Sequence, residues 1–137
     1  MKNKFMYINI SVSMIIGSLI YYLISPEVIF VEKISSMTGW KVNIGYENNV
    51  IKIIRSYVPD ILWAYALMFS LVVITGNKTA GIWKMYIVAV LFSTIIEMLQ
   101  LTGMFKGTFD IVDIIVELMA EIIAVFIIKV HYEEEVT

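Results

Sequence analysis

Four carboxylates, Asp110, Asp113, Glu117 and Glu121, stand in an apolar run that continues through Val130 and is long enough to cross a membrane. They recur at offsets 0, 3, 7 and 11, which on a helix turning about 100° per residue places all four within one arc of roughly 80°. An acidic side chain near the bilayer centre costs on the order of 2.5–3.5 kcal/mol on insertion scales, so the stripe should face protein or a water-filled cavity. Carboxylates held there can share a proton, bind a cation, act as general acid and base, or recognise a ligand. Upstream, Glu97 and Gln100 lie one helical step apart, and Arg55, Tyr57, Asp60 and Trp63 form a further polar group.

The elements that must position these groups follow from hydropathy. The chain has 137 residues, 60% hydrophobic and 16% charged, with a mean hydropathy of +0.85, outside the range of soluble domains. The expected fold is all-α: a single polytopic membrane domain over 1–137, with spans at about 5–24, 58–75, 82–102 and 109–130. Met1-Lys2-Asn3-Lys4 before the first span has the charge order of a signal sequence. No small-x-small cleavage site occurs near Leu23-Ile24-Ser25-Pro26, so it reads as a retained anchor. The short glycine-bearing connections Gly76 to Gly81 and Gly103 to Thr108 make the last three spans antiparallel neighbours. In the long connection Pro26 to Tyr57, the residues Val50, Ile51, Ile54 and Tyr57 follow the cap Asn48-Asn49 at helical spacing, which predicts a short interfacial helix.

Charge and composition exclude several roles. A net charge of −2 from ten cations and twelve anions, with the cations scattered, offers no face to nucleic acid. Cysteine is absent, which removes disulfides and thiolate metal sites. The single histidine, His131, lies in the polar tail and reads as a solvated side chain. No cofactor motif and no metal site are expected. Membrane lipids are the expected partners, and nothing in the pattern requires or excludes a homo-oligomer. With the N-terminus inside, five Lys/Arg fall on each side, so orientation rests on Lys2 and Lys4 directly before the first span: N- and C-termini cytoplasmic. The sequon Asn77-Lys78-Thr79 then falls on the cytoplasmic side.

Under that topology Glu97, Gln100, Asp110, Asp113 and Glu117 converge with Arg55 and Asp60 on the outer half of the membrane, while Glu121, ~16 Å beyond Asp110, reaches the midplane. The expected site is a polar pocket open outward. Its acids outnumber Arg55 and Lys106, the cations near that rim, so some must be protonated, bind a cation, or bond to Gln100, Tyr57, Tyr65 or backbone; Glu117 and Glu121, the deepest, are the expected neutral donors. The bland alternative is that the acids only glue helices together, at about 0.6 kcal/mol per interhelical hydrogen bond. Asp60, directly after Pro59, would then cap a helix start. Trp40, Tyr57, Trp63 and Tyr65 would be interfacial belt residues, and Met98, Met104 and Met119 packing.

Glu97-x-x-Gln100, followed by Phe109-Asp110-x-x-Asp113 opening the last span, resembles the signature of the VanZ-like family of small bacterial membrane proteins, with Pro59-Asp60-x-x-Trp63 as weaker support. The resemblance covers the last two spans. It departs from the family pattern where Lys106 and Gly107 occupy the region of an arginine, Glu117 that of an asparagine, and Ala120 and Ala124 those of glycines. It identifies a divergent member and implies the bacterial cell membrane and a link to glycopeptide (teicoplanin) antibiotic resistance. The leading expectation is therefore a non-enzymatic envelope protein whose pocket binds a lipid-linked or lipopeptide ligand. The alternative is a membrane enzyme acting on a lipid or lipid-linked substrate through paired carboxylates such as Glu97 and Asp113. Against it, Ser93 and Thr94 show no adjacent base in the sequence. Conduction along the stripe ranks third, because Ile122 to Ile128 below Glu121 carries no polar residue.

Overall fold

A computed structural model describes residues 2–24, 29–40, 48–76, 81–102 and 110–134. Among these it is all-helical, with five helices: α1 Lys2–Ile24, α2 Ile29–Thr38, α3 Asn49–Ile74, α4 Ile82–Leu101 and α5 Ile111–Glu134. The connection following Leu23-Ile24, the residues Lys106, Gly107 and Phe109, the Asn77-Lys78-Thr79 sequon and most of both short turns lie outside the described residues.

Local chemistry explains the boundaries. Asn48 caps α3, its side chain accepting from the Val50 N–H at 3.1 Å. Gly81 precedes α4 at φ 102°, a conformation that side chains with a Cβ resist, and its carbonyl accepts from the Lys84 N–H at 2.8 Å. Asp110 caps α5: its carboxylate accepts from the Val112 N–H at 2.9 Å and its carbonyl from the Asp113 N–H at 3.1 Å. The acidic stripe on the helix therefore contains Asp113, Glu117 and Glu121, with Asp110 as the cap ahead of it instead of a fourth member.

Two expectations for the first connection are corrected. The segment from Val50 is not a separate interfacial helix; it runs without a break into the second apolar span, making a 26-residue helix with Pro59 inside it. Proline deletes only one intrahelical N–H bond, and the fully buried Pro59 ring supplies packing in exchange. Asp60 consequently sits mid-helix and caps nothing. The short helix of this connection is α2, closed by Gly39, whose N–H donates to the Ser35 carbonyl at 2.9 Å at φ 71°.

α3 is the central helix, packed against α1, α4 and α5, and α4 also packs on α5. Cross-helix pairs fix the directions. Tyr21 meets Asp60, Asn9 meets Tyr65 and Phe5 meets Phe69, so α1 runs antiparallel to α3. Ser93 meets Glu121, and the Lys129 ammonium lies 5.5 Å from the Trp83 ring centroid, so α4 runs antiparallel to α5. The N-terminus of α1 and the C-terminus of α5 thus share one end of the bundle; the acids gather at the other.

The distribution of size and polarity is that of helices solvated by hydrocarbon. Ile15, Leu91, Phe92, Ile95, Ile115 and Ile123 are exposed, whereas Ala64, Ala66, Ala89, Ala120, Ala124, Ser13 and Ser93 are buried. Small residues inside allow close helix approach where lipid already satisfies the large apolar ones. Gly17 is the tightest case, since a Cβ there would meet Trp63 Nε1 at 2.7 Å. Lys4–Ile24, Asn49–Ile74 and Ile82–Leu101 are long and apolar enough to cross a membrane. α5 is of matching length, 24 residues, but its acids set it apart by composition.

Candidate functional site

Along α5 the residues Asp113, Glu117, Glu121, Ala124, Val125 and Ile128 repeat at helical spacing, and the last four are buried. The face that carries the acids is thus the continuation of the face that packs. On the far side, Val112, Ile115 and Met119 are exposed. α4 presents a matching line, Ile82, Ala89, Ser93 and Glu97, all buried. Two polar groups spaced one helical turn apart, Ser93 and Glu97, therefore face into the bundle from α4.

The deepest contact pairs these two helices. Ser93 Oγ–H donates to Glu121 Oε1 at 2.9 Å, with Glu121 fully buried. Sequence reading had left Ser93 without a base; the 28-residue separation hides a contact that only the antiparallel pairing of α4 and α5 creates. Nearer the acid end, the Tyr21 hydroxyl donates to Asp60 Oδ1 at 3.1 Å, and the Glu97 carboxylate and Tyr57 both lie close to Asp110.

Beside these groups lies a cavity of about 620 Å³, within the usual range of ligand pockets. Asp60, Glu97, Gln100 and Glu117 line it together with Tyr21, Ser70 and Ser93, and Met14, Leu67, Phe92 and Ile96 supply apolar wall. Of the residues expected at the site, these four are brought together at the cavity. Arg55, Asp110 and Asp113 are not among its lining: Arg55 is exposed, Asp110 serves as a cap, and Asp113 lies half-buried on the stripe. Tyr21 and Ser70 carry no signal in the sequence, and Ser93 shows its position there but not its partner. A hydroxyl in an apolar helix carries almost no sequence signal, and its role depends on which neighbour it meets.

Polar satisfaction is incomplete here. Glu97 Oε2, Asp113 Oδ1, Glu117 Oε2 and Glu121 Oε2 are buried and have no hydrogen-bond partner among the described residues. Each such atom left unbonded costs on the order of 1–3 kcal/mol relative to a bonded one. The described residues contain no group of three His, Cys, Asp or Glu placed to hold a metal ion. Comparison with family models, curated proteins and solved structures gives no match for the chain.

Proposed function

We propose that the chain is a VanZ-like protein of the bacterial cell membrane. In this reading α5 is the fourth span, its acids turned inward, and both termini are cytoplasmic. The acid-lined cavity binds an envelope ligand, lipid-linked or lipopeptide, and thereby alters susceptibility to teicoplanin or another envelope-active compound. The observation that carries the binding reading is Glu97: 4% exposed, on the cavity wall, with one carboxylate oxygen unpartnered among the described residues. An acid kept only to join helices gains through the bonds it makes, and this oxygen makes none to a described residue.

Glu97→Gln and Asp113→Asn keep size and most packing. Expressed at unchanged membrane abundance, either should abolish the protein's effect on survival with teicoplanin or a related compound. Normal survival for both, singly and combined, would falsify a functional role for the acids. Orientation has its own test, made simple by the absence of native cysteine. A cysteine at Met37, which is 80% exposed, should react with an impermeant thiol reagent in whole cells, and one at Lys84 should not. The reverse pattern would turn the acid end to the cytoplasm.

The Ser93–Glu121 pair favours a second reading, an enzyme on a lipid or lipid-linked substrate with Ser93 as nucleophile and Glu121 as its base. Ser93→Ala separates the two: the enzyme reading requires complete loss of activity, whereas the binding reading predicts retention with a small stability change.

A further inference from the structure

The cavity opens in an informative direction. α1 and α4 both line it, α1 packing on α3 and α4 on both α3 and α5, so α3 forms the floor and α1 and α4 form the sides. Three lining residues are also surface residues: Met14 of α1 (38% exposed), Trp63 of α3 (44%) and Phe92 of α4 (54%). Phe92 lies ten residues into α4, ~15 Å along the axis and so at half the thickness of a ~30 Å hydrocarbon core. Met14 is likewise central in α1. A mouth at that height faces acyl chains.

The chemistry of the wall selects the occupant. Asp60, Glu97 and Glu117 contribute three carboxyl groups, and among the described residues the lining contains no Lys, Arg or His. Glu97 Oε2 and Glu117 Oε2 are buried acceptors without partners among the described residues, and Asp60 Oδ1 is already engaged by Tyr21. A phosphate or carboxylate head would meet like charge with no cation on the described lining to compensate it. A primary ammonium carries three N–H donors and no acceptor, which matches a wall with acceptors to spare. Its single aliphatic chain would leave along Leu67, Ile96, Phe92 and Met14 toward the mouth.

We propose that this cavity is a lateral, lipid-facing site for an amine-headed amphiphile: the ammonium seated between Glu97 and Glu117, the chain emerging between α1 and α4. The assignment rests on the four-span binding reading and names the ligand class of that same site.

The test uses full-length protein in a neutral maltoside detergent, with Trp40 and Trp83 replaced by Phe so that Trp63, on the cavity wall, is the only tryptophan. A chain-brominated hexadecylamine should quench Trp63, and unlabelled hexadecylamine should reverse the quenching. Hexadecanol should compete roughly tenfold or more weakly, having lost the charge-assisted bonds, and hexadecanoic acid should not compete. Glu97→Gln should weaken the amine by a similar factor. The ligand series on unsubstituted acids stands even if that variant fails to fold. Equal competition by the alcohol or the acid would overturn the proposal. So would competition by butylamine at the same concentration, which would assign the site to water-soluble amines. If hexadecylamine fails to bind while Glu97→Gln still abolishes the survival effect in cells, the amine assignment falls and the binding reading remains.

Discussion

The two ends of this bundle are built on opposite principles. At the end shared by the α1 N-terminus and the α5 C-terminus, Met6, Met68, Phe69, Val72, Ile82, Val125 and Ile128 form a closed apolar core. Aromatic contacts surround it: Tyr65 to Phe69 at 4.7 Å between centroids, and Phe5 stacked on His131 at 3.8 Å. At the other end the helices enclose a cavity of about 620 Å³ and bury carboxylate oxygens that no described residue bonds. A bundle gains stability from the first arrangement and loses some to the second. In the proposed binding reading the second is kept for use of the site, with the tight end holding the helices in place around it.

That contrast can be broken most forcefully at Phe69, which is fully buried and touches both Phe5 and Tyr65. Phe69→Ala should cost about 3–5 kcal/mol, seen as a large fall in the thermal midpoint in detergent, whereas Glu97→Gln should leave the midpoint near the unsubstituted value or raise it. Equal losses at the two sites would mean that the acids are structural after all. A smaller effect is expected at Gly17, where a Cβ would sit 2.7 Å from Trp63 Nε1 and 2.9 Å from its Cδ1. Gly17→Ala should cost ~1–3 kcal/mol and shift Trp63 emission, because the indole must move at the cavity mouth. An unchanged spectrum would show that α1 and α3 do not approach as closely as described. Loss of the Asn48 cap in Asn48→Ala should cost about 1 kcal/mol, read by the same melting assay. The smallest effect is predicted at Ile115, exposed on the outward face of α5. Ile115→Leu should change stability by no more than ~0.5 kcal/mol and leave function intact, while Asp113→Asn on the opposite face should not. A large cost at Ile115 would mean that α5 has been turned about its axis.

Sequence reading placed the acids on one face because helical periodicity is a local property, and the inward direction of that face followed from the cost of exposing carboxylates to hydrocarbon. It also found the Asn48 cap, whose partner is only two residues away. It failed at Pro59, where the usual rule for a helix break gave way to burial of the ring, and at Asp110, where cap and stripe positions share the same spacing on paper. It could not find Tyr21 or assign Ser93 a partner, since their contacts reach across 39 and 28 residues.

What the sequence by itself determined is the helical class, the apolar segments and the acidic stripe, all consequences of hydrophobicity and of a repeat within a few residues. The tertiary structure decided which of those acids share a wall, that Glu121 meets Ser93, that Arg55 stays outside the cavity, and that the cavity opens between α1 and α4. Those outcomes depend on how helices far apart in the chain are paired and rotated against one another, and no local pattern encodes a rotation.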